Sequence, residues 1–454
     1  MRWLLEQGTS CTILVPRTFV LKTHELVRMF TTRNEWKVFL ILALACFLPQ
    51  PAQAHVSAQD AGQPRTLQHT VEPGDTWTAL AIRYGVPAAA IKETNPHPNP
   101  ARNPVIGDTV SIPSVVQEQV FGTLHRYNGG GLLGMAVRAN DSPWQLAVAN
   151  HIAHPFQPLL GRAIFVPDGN APPKDLPMGF RSLELSAVPA QPGWPLAFRA
   201  LSDNEADVSA HLGSARFDSF MRPPNVIGVG GTGAFFTPGA PELTIITEGG
   251  QLWSQPWRII AGSWNFDQIT LTGEAAAIDQ AAIAAERERM FQIWSQVTPE
   301  PLWQSAFQLP IHDFLAISST YGARRSYNGG PYSSYHEGVD FSAYQGTPVY
   351  AAGDGVVVLA EMLYVRGGAV VIDHGFGIYS GTYHMSAVLV QPGQKVSTGD
   401  QVGEVGSEGL SSGNHLHWDL LVAETWVDAA AWHEQNLACW ILEGWGSACQ
   451  EDTS

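Results

Sequence analysis

Between Phe314 and Leu437 glycines cut the chain into short β-forming runs, and histidines recur along those runs in a fixed pattern. The stretch SSYHEGVDF holds His336 and Asp340, AVVIDHGFGIYSGTYHM ends on Tyr383-His384, and SSGNHLHWDLLV holds His415-Leu416-His417. Alternate residues of a strand share a face, so His415 and His417 project side by side. Such a pair is either a metal site or a costly accident of packing. Zinc accepts neutral imidazole nitrogen and carboxylate oxygen, and a catalytic zinc keeps three protein ligands with a fourth position open to water. His336, Asp340 and one histidine of the pair supply that set. An H-x-x-x-D, an H-x-H or a Tyr-His occurs by chance when alone; here they occur together, in order, in one strand-and-glycine frame. Asp373-His374 and His433 fall outside the pattern and read as structural or exposed.

The rest of the 454-residue chain excludes several classes of protein, and its length implies two to four domains. Only 15% of residues are charged, well under the roughly 25% usual in soluble domains. With 44 Gly, 32 Pro and 15 Trp, this is a turn-rich, aromatic chain rather than a disordered or coiled-coil one. Its 25 basic and 41 acidic residues give a net charge of 25 − 41 = −16 with no basic run, which argues against nucleic acid as a partner.

Val38 to Leu48 is one unbroken apolar run, preceded by Arg33 and Lys37 and followed by Pro49, Pro51 and Ala52-Gln53-Ala54. Residues 1–54 therefore read as a secretory signal region, with Met29 as an alternative start, and the run is too short for a span of about 20 residues. Lipidation at Cys46 has a poor lipobox, Ala43-Leu44-Ala45. Cleavage would leave no transmembrane anchor, a net charge of 19 − 38 = −19, and a secreted, periplasmic or envelope-associated protein. Cys439 and Cys449 would then meet oxidising conditions, and a disulfide between them would clamp the tail, residues 439–454, contributing about 2 to 3 kcal/mol.

From His69 to Pro113 the spacing predicts a short strand, a Pro-Gly-Asp turn and a helix with Trp77, Leu80, Ala81 and Tyr84 on one face. Thr76 caps that helix, Gly85 stops it, a second helix runs from about Pro87 to Thr94, and Val110 to Ile112 close the unit. A fainter echo spans 124–168, where Asp141 to Ala147 repeats the turn and helix start and Leu160 to Pro167 the closing strand. Residues 178–264 offer strand-like runs (Leu196 to Ala200, Val226 to Val229, Leu243 to Thr247, Trp257 to Ala261) between turns, which suggest a small β-sandwich. An Ala-rich helix within 273–298 presents Ile278, Ala282, Ala285, Ile293 and Val297 on one face and reads as a connector.

The string T-V-x-P-G-D-T, A-x-x-Y-G-V and G-D-x-V-x-I-P over 68–114 resembles the LysM module, a βααβ unit that binds N-acetylglucosamine-containing glycan. That resemblance implies that Gly74, Asp75, Thr76 and Asn95 line a glycan groove. The echo over 124–168 looks like a degenerate LysM, and the region 178–264 is similar in texture to immunoglobulin-like spacers. Residues 310–438, with G-x-x-V-x-A-A-G-D-G-x-V and V-x-x-G-D-x-V-G beside the histidines, resemble the lysostaphin-type, LytM-like zinc metallopeptidases. The expected fold is therefore multidomain and mainly β, ending in an antiparallel β-rich peptidase domain.

The peptidase resemblance implies His336, Asp340 and His417 as ligands of one Zn2+ per chain. It leaves His384 and His415 as general base and as the group that orients water or stabilises the tetrahedral intermediate, in either order, with Tyr327, Tyr332 or Tyr335 as an oxyanion donor. The implied function is hydrolysis of peptide bonds in the stem or cross-bridge of peptidoglycan, with LysM holding the glycan. The competing expectation is a non-catalytic wall scaffold that activates other hydrolases; family members of that kind have lost zinc ligands, and here every position is filled.

Overall fold

The structure is a computed structural model that describes residues 66–450 apart from residues 100, 114–120, 127–130, 140, 157–161, 168–171, 204–206, 248–249 and 271–278. The expected signal region 1–54, including Cys46 and Met29, lies outside the described residues. Among the described residues no helix is long and apolar enough to cross a membrane.

The first unit is β1 (Leu67–Thr70), α1 (Trp77–Tyr84), α2 (Ala88–Thr94) and β2 (Thr109–Ile112), with β1 and β2 antiparallel. The Thr76 side chain accepts from the Ala79 N–H and caps α1, and Gly85, at φ 64°, ends it in the left-handed region that glycine enters freely. Trp77, Leu80 and Tyr84 then bury one stripe against Val71, Ile91, Val110 and Ile112.

A second unit follows with the same order, β3 (Thr123–Arg126), α3 (Gly131–Ala139), α4 (Pro143–Ala149) and β4 (Ala163–Val166), β3 pairing antiparallel with β4. Asp141 to Ala147 start its second helix, not its first as expected, and Pro143 sits in the first helical turn, where no N–H is needed. Asn95 and Asn150 hold equivalent places. Each side-chain amide donates to a carbonyl of the helix before it and to one on the closing strand, and each side-chain oxygen accepts an N–H of that strand. The two units pack through Ala79 against Leu124 and Phe165.

Seven strands come next: β5 (Phe180–Leu185), β6 (Pro195–Ser202), β7 (Ser209–Leu212), β8 (Ala215–Arg222), β9 (Asn225–Gly231), β10 (Glu242–Thr247) and β11 (Gln251–Pro256). The expected two-sheet sandwich is instead one continuous sheet, ordered β11-β10-β7-β8-β9-β6-β5. Residues from every strand line one core around Phe198, Phe217, Leu243 and Trp253. On the opposite face Ala197, Phe220, Ile227 and Val229 join the core of the C-terminal domain, so the middle strands are apolar on both sides. Trp257 to Ala261, expected as a strand, makes only isolated bridges, from Trp257 to Ile106 and from Ile259 to Ala190 and Gly239.

After β12 (Phe266–Ile269) comes α5 (Gln280–Trp294), shorter than expected and turned on its axis. Ala285 and Val297 are exposed, while Glu286, Met290 and Trp294 form the buried stripe at i, i+4 and i+8. The expected Ile278 lies outside the described residues.

The C-terminal domain contains β13 (Ala316–Ser319), β14 (Arg324–Tyr327), β15 (Ser334–Tyr335), β16 (Gly338–Ser342), β17 (Pro348–Tyr350), β18 (Gly355–Leu363), β19 (Gly367–Asp373), β20 (Ile378–Val388), β21 (Lys395–Val396), β22 (Gln401–Val405), β23 (His415–Val422) and β24 (Thr425–Val427). Its sheet runs β13-β16-β23-β20-β19-β18-β21, with β22 also on β20 and β24 on β23. Helices α6 (Ala429–Glu434) and α7 (Leu437–Trp445) finish the chain, and Cys439 and Cys449 form a disulfide. Trp303, Trp418 and Trp432 are fully buried among these layers.

Candidate metal centre and its cleft

Antiparallel pairing of β16 with β23 sets Asp340 opposite His417 and Ser342 opposite His415. His336 enters from the residues just before β16. Its Nε2 lies 3.0 Å from Asp340 Oδ1 and 3.0 Å from His417 Nδ1, and His417 Nδ1 lies 2.8 Å from Asp340 Oδ1. A tetrahedral zinc with ligands at about 2.0–2.1 Å spaces its donors about 3.3 Å apart, so a small opening of this triangle admits the ion. Two imidazole nitrogens and one carboxylate oxygen are also the donor types zinc prefers. The chain therefore fits the metal, with His336, Asp340 and His417 as the three residues to hold it.

Local structure aims each donor. His336 is fully buried, and its Nδ1 faces the Thr320 carbonyl at 3.1 Å and Ser319 Oγ at 3.0 Å. A carbonyl only accepts, so Nδ1 carries the proton and Nε2 is left as donor to a metal. Ser319 in turn donates to Asp267 of β12, at 3.0 Å. At Gly338 an added Cβ would lie 2.7 Å from His417 Nε2, so only glycine lets that ring stand where it does. Burial would raise the Asp340 carboxyl, but the His336 and His417 rings packed against it hold it well below the usual carboxylate range. Burial pushes His417 down to about 4 against the pull of that carboxylate, and it lowers His336 likewise. Both rings are thus neutral near pH 7, as metal ligation requires.

The other two histidines flank the triangle, their ring centroids 4.7 Å apart. His384 Nδ1 is 2.7 Å from the Glu408 carbonyl, and His415 Nδ1 is 2.8 Å from the Gly413 carbonyl. The same reasoning gives both rings an Nδ1–H, which makes Nε2 the acceptor nitrogen of the neutral form. His415 Nε2 lies 3.9 Å from Asp340 Oδ1. Burial, helped by the neighbouring His415 and His417, pushes His384 down to about 3, so it stays neutral. In that form His384 can accept a proton at Nε2.

All these groups except the buried His336 line an open cleft of about 500 Å³, together with Ser318, Ser342 and the residues 410–414. Arg325 and Tyr327, two apart on β14, share its wall. The Arg325 guanidinium reaches Asp340 Oδ2 at 3.3 Å, while its Nε has no partner. Of the three tyrosines considered, only Tyr327 lines the cleft; Tyr332 packs on Phe266, and Tyr335 on Tyr321 and Phe235. Arg325 was missed from sequence, although its period-two spacing from Tyr327 was visible. Asp267 lies too far away in sequence for any local signal.

The four residues expected to line a glycan groove are placed otherwise. Gly74 donates to Gln255 Oε1 at 2.8 Å, and a Cβ there would come 2.8 Å from Leu176. Asp75 is fully buried, held by His69 at 2.8 Å and Lys174 at 2.9 Å. Thr76 is spent on its cap and Asn95 on locking β2. Residues 174–176 and Gln255, distant in sequence, cover the turn, so Gly74, Asp75 and Thr76 do not face solvent.

Residues 334–429 match peptidase family M23, and residues 69–113 match the LysM domain. The peptidoglycan DD-endopeptidase ShyA of Vibrio cholerae is 41% identical over 127 residues, 28% of this chain and 30% of that one. The DD-carboxypeptidase/endopeptidase Mpg of Neisseria meningitidis is 42% identical over 87 residues, 19% of this chain and 20% of that one. The catalytic domain of the prophage-encoded M23 protein EnpA of Enterococcus faecalis is 30% identical, with a TM-score of 0.25, over 27% of this chain and 94% of that one. The chain thus spans less than a third of the length of these two curated relatives. With the His-Asp-His triangle inside the matched segment, residues 334–429 are a peptidase family M23 domain, joined in one chain to a LysM domain.

Proposed function

We propose that this protein is an exported zinc metalloendopeptidase that hydrolyses peptide bonds of peptidoglycan, acting in the cell envelope. The observation that carries the reading is the convergence of His336 Nε2, Asp340 Oδ1 and His417 Nδ1 at the floor of a cleft that His384 and His415 also line. The name of ShyA, a peptidoglycan DD-endopeptidase, supports the substrate class.

Zinc bound there supplies Lewis acidity for the scissile carbonyl and lowers the pKa of water to about 7. The chain's residues do the rest. His415 Nε2, left as the acceptor nitrogen because Nδ1 faces the Gly413 carbonyl, takes the proton of the attacking water and passes it to the leaving amine. His384 Nε2 accepts a hydrogen bond from the same water and fixes its approach. His384, neutral and with its Nδ1–H spent on the Glu408 carbonyl, has no N–H for a developing oxyanion, a role that the donors on β14, Arg325 and Tyr327, fill. The LysM domain supplies wall affinity, raising the effective concentration of peptide bonds near the cleft.

The test is digestion of purified sacculi by the zinc-loaded protein beside its His417→Ala variant, with fragments identified by mass spectrometry. New peptide amino and carboxyl ends made only by the intact protein support the reading. Binding to sacculi without new ends would replace it with the scaffold role.

A further inference from the structure

Helix α5 lies outside the segment matched by the peptidase family, and its polar face would ordinarily be left to solvent. Yet Glu286 is only 8% exposed. Its carboxylate accepts from the Val365 N–H at 2.8 Å, the Arg366 N–H at 3.2 Å and Arg366 Nη1 at 3.0 Å. Val365 and Arg366 form the turn between β18 and β19. The carbonyls of the same two residues point the other way, into the cleft wall. Arg366 O accepts the backbone N–H of His384 at 2.9 Å, and Val365 O accepts that of Leu410 at 2.7 Å. The Glu408 carbonyl, two residues before Leu410, is the group that fixes the His384 ring.

Glu286 thus holds Arg366, whose carbonyl accepts the His384 N–H, and Val365, whose carbonyl accepts the N–H of Leu410, two residues past the ring anchor. His384 itself sits at φ +64°, a conformation a β-substituted residue holds only when its surroundings impose it. The Arg366 guanidinium, 5.8 Å from the Trp294 ring and 5.3 Å from the Tyr383 ring, ties α5 to the residue just before His384. A buried carboxylate with three charge-assisted or backbone bonds is costly to place unless it orders something.

We infer that Glu286 is a positioning residue for catalysis: α5 completes the site by holding the 365–366 turn, and through it His384 and the 408–410 wall of the cleft. The inference rests on the reading that His384 works in that cleft.

The experiment compares the zinc-loaded full chain with its Glu286→Gln variant, which keeps side-chain length but loses the ion pair, in two measurements. Amide hydrogen exchange is read at His384 and Leu410, with Tyr379 and Leu421 in the β20–β23 ladder as controls. Turnover of a cross-linked muropeptide is read alongside. The expected result is faster exchange at His384 and Leu410 with the controls unchanged, and a kcat lower by about tenfold to a hundredfold with KM within about twofold. Zinc content stays that of the wild type, because no ligand touches the turn. Unchanged exchange at His384 and Leu410 overturns the inference, whatever happens to kcat. Exchange that rises equally at Tyr379 and Leu421 overturns it too, by showing general loosening. Should the glutamine variant fail to fold, Glu286→Asp, which keeps the charge on a shorter arm, is read by the same criteria. If the wild type cleaves no muropeptide, the functional reading fails and takes the catalytic part of this inference with it, while exchange still decides whether Glu286 holds the turn and His384; raised exchange with unchanged kcat overturns the catalytic part alone.

Discussion

Asp340 and His417 face each other across the β16–β23 ladder, Oδ1 to Nδ1 at 2.8 Å. Strand register therefore makes the metal pair, since a slip of one residue would turn His417 to the opposite face of the sheet. His415, opposite Ser342, is carried to the rim by the same register. Removing His417 should therefore abolish metal binding, whereas removing His415 should leave it intact. Expected by elemental analysis is near-zero zinc in His417→Ala and full zinc in His415→Ala, whose turnover falls by about 10²- to 10⁴-fold. Equal zinc loss in both variants would undo this division of roles.

Gly338, on the strand that carries Asp340, leaves no room for a side chain beside the ladder to β23. Gly338→Ala would drive a methyl group against the Trp418 carbonyl oxygen, 2.3 Å from such a Cβ, and against His417 Nε2, 2.7 Å away, so both the ladder that carries His417 and its ring must shift. Expected is a zinc affinity lower by about tenfold to a hundredfold, the scale seen when support for a ligand is lost. Competition with a chelating dye measures it, and wild-type affinity would show that the ring moves aside freely.

The covered LysM turn makes a prediction opposite to the one its residues first suggested. Gln255→Leu removes the acceptor of the Gly74 N–H, costing about 1–3 kcal/mol and loosening the cover over the turn. Affinity for N-acetylglucosamine oligomers, read by titration calorimetry, is expected to rise. An unchanged or weaker affinity would mean that glycan is held on another face.

Asp419 gives stability a pH dependence. Burial pushes its carboxyl up to about 7, against the pull of Arg366 and the hydrogen bond from Trp426. In the unfolded chain it titrates near about 3.9. Between these values the folded protein keeps a proton the unfolded chain has released, so the stability it contributes is full below about 4 and lost as pH rises through about 7. Asp419→Asn cannot ionise and should gain on the wild type between about pH 5 and pH 8. His374, pushed down to about 4 by burial, adds the opposite slope to both proteins and cancels. Urea midpoints at the two pH values measure the gain; a constant difference contradicts it.

How far the sequence could be read depended on whether the contacts were local. His415 and His417 announce a shared face because strand periodicity is a property of neighbours, and Thr76 and Gly85 mark both ends of α1 for the same reason. What was misread depended on partners far along the chain. Leu176 and Gln255, which bury Gly74 and Asp75, belong to other elements, and no local pattern links them to the LysM turn. Glu286 was not singled out in the connector helix, and its partners Val365 and Arg366 lie far along the chain. The two-sided burial of β9 likewise comes from the C-terminal domain packing on Ile227 and Val229.

The most direct measurement takes a defined cross-linked muropeptide dimer and follows its conversion by chromatography and mass spectrometry. Three preparations are compared: the zinc-loaded protein, the same protein after chelation, and the chelated protein with zinc restored. The account predicts cleavage of a peptide bond by the first and third and none by the second. Cleavage by the chelated protein, or none by any preparation that retains one zinc on His336, Asp340 and His417, would contradict it.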